Sequence, residues 1–281
     1  HGLNGEDGTL SGVFRLSEIP FASPDVMASS VFMDKAAGKY YLMGANLPVL
    51  PFFSFSGEKY FGNREFCSVL TEKKIGYPCI IKPANLGSSI GISIAKNRNE
   101  LKDAIERALR YDGKVLIEPA LKNFTEINCA AYKKNGKIVV SECENPKFNG
   151  EFLTFGDKYA TGLKNTVYRE FPADINAELS AKIRELTLSV YKKAFLTGIV
   201  RVDFLVSETG EIFINEVNTV PGSLALYLFR DTPAKYGEVI SELIEEGVRE
   251  NRAFSNRTFS FGSDVLIKAG VKSGAKRSTS R

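Results

Sequence analysis

At 281 residues the chain exceeds the usual size of one domain, so two or more lobes are expected, each able to bury a core. Hydrophobic residues at 43% and charged residues at 25% exclude a chain disordered over most of its length, and no apolar run approaches the roughly 20 residues that span a bilayer. The net charge of +4 makes no case for a nucleic-acid partner: from Arg249 to Arg281 eight basic residues face two acids, more than the whole surplus, so the rest is mildly acidic.

Residues 1–32 read as a loop, a short helix around Leu10 to Ser17, and a turn at Ile19-Pro20 leading to Ser23-Pro24-Asp25. Residues 33–46 are helical in pattern, and Leu47-Pro48-Val49-Leu50-Pro51 begins an extended segment. A strand at Tyr77 to Lys82, the glycine-serine turn Gly87-Ser88-Ser89-Ile90-Gly91 and a strand at Ile92 to Lys96 make a hairpin. Asn99 is expected to cap a helix from Glu100 to Arg110, whose apolar Leu101, Ile105, Ala108 and Leu109 keep helical spacing. Val115 to Glu118 is a short apolar strand. Glu126 to Tyr132 alternates as a strand, and Lys134-Asn135-Gly136-Lys137 returns it into Ile138 to Cys143, because Asn-Gly tolerates the positive φ of a tight hairpin turn. The long segment from Glu144 to Phe171, rich in Gly, Asn and aromatics, is expected to be a lid. Asp174 to Ala194 is an amphipathic helix, Ile199 to Val206 and Ile212 to Asn218 form a hairpin about Glu208-Thr209-Gly210, and Gly237 to Val248 is the last helix.

Cys67, Cys79, Cys129 and Cys143 contain no CxxC pair, which suits buried thiols in a reduced, cytoplasmic chain better than zinc or disulfides. The abrupt start at His1, in a glycine-rich loop with no signal peptide, reads as a piece of a longer chain.

Two groups of residues carry chemistry. On a hairpin, alternation puts Arg201 and Asp203 on one face of a strand and Glu216 and Asn218 on one face of its partner. Hard oxygen donors of this kind suit Mg²⁺ shared with substrate phosphates, and the arginine would neutralise a transferring phosphoryl group. Exposed strands also carry Asp, Glu and Arg as a merely solvated pattern, and the residues by themselves leave both readings open. The second group is Lys82-Pro83 followed by Gly87 to Gly91, where backbone amides and hydroxyls can close over a polyphosphate while Lys82 supplies charge. It is neither a Rossmann fingerprint nor a Walker loop, and most such turns only reverse the chain.

The sequence also contains His1-Gly2-Leu3-Asn4-Gly5-Glu6-Asp7-Gly8, Met33-Asp34-Lys35, Ile81 to Gly91, Asp157-Lys158-Tyr159, Arg201-Val202-Asp203-Phe204 and Glu216-Val217-Asn218-Thr219-Val220-Pro221-Gly222. In this order, and over residues 1 to about 248, they resemble the D-alanine-D-alanine ligases of the ATP-grasp superfamily.

The resemblance implies an α/β protein of α+β lobes with the ATP-grasp fold, two lobes clamping ATP. Residues 30–118 would be the central lobe and 119–248 the C-terminal lobe with a lid at about 144–171. Residues 1–29 would be the remnant of an N-terminal Rossmann-like α/β substrate domain, and 249–281 a flexible basic tail. The family's first lobe, mostly upstream of its HGxxGEDG motif, is absent from the sequence. By similarity Lys39 and Lys82 contact the phosphates of ATP, Ser88 and Ser89 fold over them, and Lys158 reaches the γ-phosphate. Glu118 and Leu121 meet the adenine and Glu126 the ribose. Asp203, Glu216 and Asn218 hold two Mg²⁺ (or Mn²⁺) ions, with Glu216 bridging. Arg201 and Gly222 stabilise the tetrahedral intermediate, Tyr159 closes over the substrate against Ser88, and His1 belongs in the first substrate's pocket. Outside the family, Lys39 reads as an ordinary solvated helix residue, Glu126 as a strand end, Tyr159 as packing and His1 as a mobile terminus.

The implied partners are ATP and two molecules of D-alanine in a cytoplasmic homodimer, with no nucleic acid and no membrane insertion. The implied reaction makes the D-Ala-D-Ala dipeptide of peptidoglycan through an acyl phosphate. Where typical members have a Ser-Leu pair for the second substrate's carboxylate, this chain has Tyr227-Leu228. That departure leaves another amino acid or peptide open as second substrate, and an ATP-binding protein without turnover is a further alternative. Tyr159, with no histidine near it, favours the dipeptide over D-alanine-D-lactate.

Overall fold

The computed structural model describes residues 2–87, 90–147, 168–229 and 233–258. The chain opens with three helices, α1 (Thr9–Leu16), α2 (Val26–Met33) and α3 (Lys35–Gly44). The single helix expected over 33–46 is broken at Asp34, whose extended backbone (φ −86°, ψ 106°) frees its carboxylate to accept from the amides of Ala36 and Ala37. Asp caps a new helix better than it continues an old one. The α2 segment falls where a loop and turn are expected, because VMASSVFM offers no apolar stripe from which a helical period could be read.

The first sheet is antiparallel in the order β1 (Phe53–Ser56), β4 (Lys114–Pro119), β2 (Cys79–Pro83), β3 (Ser93–Ala95). The expected hairpin is β2 and β3, with Cys79 opposite Ala95, and Glu118 on β4 lies opposite Ile80. Gly91 in the connecting turn has φ +71°, and a Cβ there would stand 2.8 Å from Pro83 Cγ. Helices α4 (Gly57–Gly62), α5 (Arg64–Lys74) and α6 (Arg98–Ala108) accompany the sheet, with Cys67, Leu101 and Ile105 packing onto Cys79, Ile81, Val115 and Ile117. The cap of α6 is Asn97, not Asn99. Its side chain accepts from the Glu100 amide, while Glu100 Oε2 accepts from the amide of Lys96, one residue before the cap.

The second sheet runs β10 (Ile212–Asn218), β9 (Val200–Ser207), β5 (Phe124–Lys134), β6 (Lys137–Val140), also antiparallel. Asn135 (φ +50°) and Gly136 (φ +75°) make the expected turn. Strand β6 ends at Val140, short of Cys143, because the Ser141 hydroxyl takes the Ala130 amide in place of a backbone carbonyl. The short strands β7 (Asn145–Lys147) and β8 (Tyr168–Glu170) pair into a ribbon at the two ends of the expected lid, whose residues 148–167 lie outside the described residues. One face of the second sheet is apolar. Ile127, Cys129 and Ala131, Val200, Val202, Phe204 and Val206, and Ile214 and Val217 pack on α7 (Ala177–Lys193) and on α2 and α3. Helix α8 (Pro233–Ser255) lies against β5 and continues past Val248 into the expected tail. All four cysteines are free and buried, and among the described residues no helix is long and apolar enough to cross a membrane.

Candidate active site

The other face of the second sheet carries a polar patch, next to Ala130 and Tyr132, which are buried in smaller apolar clusters. Asp203 on β9 lies opposite Glu216 on β10 and Asn128 on β5, and Arg201 lies opposite Asn218 and Ala130. Strict alternation along β10 would send Glu216 to the same side as the buried Ile214. A β-bulge between Ile214 and Glu216 absorbs Asn215, so that Glu216 and Asn218 face the side of Asp203 while Ile214 and Val217 stay in the core. Arg201 grips Asp203 through Nε to Oδ1 at 2.6 Å and Nη2 to Oδ2 at 2.8 Å, and Asn218 Nδ2 donates to Oδ2 at 2.9 Å.

Three lysines approach this face from the first sheet and α3. Lys39 on α3 and Lys82 on β2 hold the two oxygens of Glu118 on β4, at 2.6 and 2.7 Å, with Glu118 and Lys39 almost fully buried. Burial pushes the Glu118 carboxyl up, but the ammoniums of Lys82 and Lys39 outweigh it and hold the group at about 2. Burial pulls Lys39 down, against the attraction of Glu118. Lys82 also donates to Asn215 Oδ1 at 3.2 Å, so the bulge residue ties the two sheets together. Lys35, the first residue of α3, pairs with Glu216 Oε1 at 2.8 Å and donates to the Leu86 carbonyl at 2.7 Å. Burial raises the Glu216 carboxyl, and Lys35, joined by Lys82 and Arg201, more than reverses that, leaving it below its ordinary value. Among the described residues no three His, Cys, Asp or Glu side chains gather as a metal-binding group; the oxygen donors here are two carboxylates and an amide.

After β10 the chain turns through a 3₁₀ helix, Gly222–Phe229, in which Ser223, Leu224 and Ala225 all have φ near +50°. Non-glycine residues hold that conformation only where their surroundings compel it. Ala225 and Leu228 pack on Ala130, so Leu228 is a buried wall residue. The Tyr227 hydroxyl donates to Glu144 Oε2 at 3.3 Å. Glu144, 1% exposed, also accepts from Asn128 Nδ2 at 3.2 Å and pairs with Arg169 Nε at 3.5 Å, while the Arg169 guanidinium lies 4.4 Å from the centre of the Tyr227 ring. Burial raises the Tyr227 phenol above its ordinary value, against the pull of Arg201.

Glu126 lies on the same face of β5 as Asn128, opposite Leu205, and Leu121 sits in the connection between β4 and β5. Gly222 opens the 3₁₀ helix and is exposed. His1, Ser88, Ser89, Lys158 and Tyr159 lie outside the described residues. Lys35, Asn128, Glu144, Arg169 and Asn215 were given no role by the sequence reading. Alternation along β5 could have flagged Asn128, but nothing local marks the others. A cavity of about 420 Å³ lies apart from these charges, lined by Arg15, Lys133, Tyr191 and Phe254 among others.

A family model described as the D-ala D-ala ligase C-terminus matches residues 42–248. The D-alanine–D-alanine ligase of Acetivibrio thermocellus is 38% identical over 254 residues, covering 89% of this chain and 66% of that protein. Among solved structures, the D-alanine-D-alanine ligase from Helicobacter pylori is 29% identical with a TM-score of 0.70, covering 88% of this chain and 68% of its own. The VanG D-Ala:D-Ser ligase from Enterococcus faecalis is 30% identical with a TM-score of 0.71, covering 89% and 71%. The chain thus spans about two thirds of the length of these relatives. The family model's match runs through both sheets, and the chain belongs to the D-alanine–D-alanine ligase family of ATP-dependent, ATP-grasp ligases.

Proposed function

We propose that the protein joins two molecules of D-alanine at the expense of ATP, making the dipeptide of the cell-wall precursor. The observation that carries this reading is that Lys35 pairs with Glu216 while Lys39 and Lys82, both held by Glu118, reach the neighbouring Ile214 carbonyl and Asn215 side chain: a polyanion clamp set beside the hard oxygen donors Asp203, Glu216 and Asn218. Lys39 and Lys82 bind phosphate oxygens, with Glu118 behind them as the buried counter-charge. Glu118 and Leu121 border the adenine, Glu126 the ribose, and Ser88, Ser89 and Lys158 the outer phosphates. Asp203, Glu216 and Asn218 would hold two Mg²⁺ or Mn²⁺ ions. The donor set fits, because such ions keep water and phosphate ligands and need only one or two carboxylates from the protein. When bound they supply charge neutralisation at the transferring phosphoryl group.

A carboxylate does not react with an amine, so the first D-alanine carboxylate takes the γ-phosphoryl group as ADP leaves, and the second D-alanine's amine attacks the acyl phosphate, expelling phosphate. Arg201 spends two of its five N–H groups on Asp203 and also interacts with Tyr227, and a remaining N–H group would serve the oxyanion of the tetrahedral intermediate, beside the Gly222 backbone. His1 borders the first substrate, Tyr159 closes over it against Ser88, and Tyr227 and Leu228 border the second. The four buried thiols support a cytoplasmic location, and the family suggests a homodimer.

Phosphate release from ATP, dependent on D-alanine, tests the reading. Glu216→Gln should lower turnover by about a thousandfold or more while most ATP affinity remains; unchanged turnover would remove the metal assignment. Binding of ATP without phosphate release on any amino acid would favour a nucleotide-binding protein instead. A second reading keeps the chemistry and changes the acceptor, and Tyr227, locked to Glu144 and stacked under Arg169, favours testing it. A panel of amino-acid and peptide acceptors, scored by phosphate release, separates the two.

A further inference from the structure

Glu144 carries a charge that its place in the fold does not require. It follows β6, and its backbone is fixed whatever its side chain, since its amide and carbonyl exchange bonds with Asn128 at 2.9 and 2.8 Å. Yet the side chain is 1% exposed and reaches the site face, where Asn128 lies opposite Asp203. Both of its hydrogen-bond donors, Asn128 Nδ2 and the Tyr227 hydroxyl, fall on Oε2. Its Oε1 lies 3.5 Å from Arg169 Nε, an ion pair without hydrogen-bond geometry, and accepts no hydrogen bond among the described residues. Asn128 Oδ1, on a residue 5% exposed, accepts none either. Native proteins seldom leave buried acceptors without donors, and these two belong to side chains already bonded to each other, within reach of one incoming group. Tyr227 also interacts with Arg201, which sets the cluster beside the arginine assigned to the tetrahedral intermediate.

We propose that Glu144, with Asn128, is a specificity-determining residue that selects a second substrate whose side chain carries a hydroxyl or amino donor. This rests on the ligase chemistry proposed above and on Tyr227 bordering the second substrate, and it gives the reading with a changed acceptor its chemical class. The Tyr227 hydroxyl gives its proton to Glu144, so it has none left for a substrate carboxylate, and the Glu144 charge behind it repels one. Arg169, its side chain 49% exposed, remains to meet that carboxylate. Glu144 thus acts twice, through the Tyr227 hydroxyl that it holds and directly through its free Oε1. The methyl group of D-alanine offers no donor and leaves both buried acceptors unpaired. A side chain with a hydroxyl or amino group satisfies them, and a site built to pair buried polar groups with a substrate rejects the analogue that lacks the donor.

The test supplies the protein with ATP, Mg²⁺ and D-alanine together with one competing acceptor, D-serine, D-2,3-diaminopropionate or D-2-aminobutyrate, and reads phosphate release and the dipeptides by mass spectrometry. D-2-aminobutyrate matches D-serine in size with a methyl group in place of the hydroxyl, so it separates the donor from the volume. Dipeptides ending in D-serine or D-2,3-diaminopropionate should exceed those ending in D-2-aminobutyrate by roughly tenfold or more, and Glu144→Leu should cut that ratio to about two- or threefold. Glu144→Gln replaces Glu144→Leu if the latter does not melt cooperatively. Equal use of D-serine and D-2-aminobutyrate, a product pool of D-alanyl-D-alanine alone, or a preference that survives unchanged in the folded variant overturns the proposal. No dipeptide and no phosphate release with any acceptor overturns the ligase reading itself, so the two failures are distinct.

Discussion

Glu118 concentrates the electrostatics of single residues in this protein. It is fully buried between Lys39 and Lys82, and its carboxyl is held at about 2 against an ordinary 4.5. A carboxyl depressed on folding stabilises above its unfolded value and loses that contribution as pH falls toward its folded value. The protein should therefore lose stability between about pH 4.5 and 2 in urea titrations, and Glu118→Gln should flatten that fall. At pH 7 the same substitution leaves two buried ammoniums without a counter-ion and should cost roughly 3–5 kcal/mol. A Glu118→Gln protein that melts like the parent at pH 7 would mean the lysines find other partners. Tyr227 is the matching case in the other half of the site: its phenol is fixed by Glu144, a carboxylate as buried as Glu118, so substitutions at Glu144 should act through Tyr227.

At the scale of elements, β10 decides which residues reach the site. Its sequence, IFINEVN, alternates in a way that would bury Glu216 with Ile214, and the bulge at Asn215 corrects this at the cost of one unpaired ladder position. The bulge residue is also used, since its side chain accepts from Lys82 across the junction of the sheets. Asn215→Ala keeps the backbone bulge but removes that bond, worth about 0.5–1.5 kcal/mol. ATP affinity by titration calorimetry should fall roughly three- to tenfold and the melting temperature by about 2–4 °C; an unchanged affinity would make the Lys82 contact incidental. Helix α3 makes a parallel point. Only because Asp34 breaks the helix and caps the new one do Lys35 and Lys39 project from its first two turns toward the second sheet.

At the scale of the whole molecule, the N-terminal segment is tied down by close backbone approach rather than by a large core. Gly198 has φ +66°, and a Cβ there would lie 2.8 Å from Ser23 Cα and 2.9 Å from the Ala22 carbonyl oxygen; a Cβ on Gly247 would lie 2.7 Å from the Phe21 carbonyl oxygen. Around them Arg15 stacks between Phe21 and Phe254 and pairs with Asp25. Gly198→Ala combines a left-handed backbone with a backbone clash and should cost about 1–3 kcal/mol. Limited proteolysis should then cut first between residues 9 and 25, and cleavage elsewhere would show that the segment is held by other contacts.

The strands and the hairpin turn at Asn135-Gly136 were legible because a two-residue period and a turn dipeptide are local signals. The pairing of Arg201 and Asp203 with Glu216 and Asn218 was legible for the same reason, since both pairs lie on adjacent strands of one hairpin. The family motifs added Lys39 and Glu118 to the Lys82 already read beside its glycine-serine turn, without revealing that the three bind one another. Helices α2, α4 and α5 escaped, as did the true cap of α6, because their apolar positions make sense only against strands and helices far away in sequence. The sequence by itself determined which residues bear charge, where the chain turns and to which family it belongs. Only the tertiary structure decided that Glu118 locks two lysines, that Lys35 reaches Glu216, and that Glu144 holds Tyr227. The reason is physical: each of these contacts joins residues more than thirty positions apart whose attraction is strong only after burial has removed water from both.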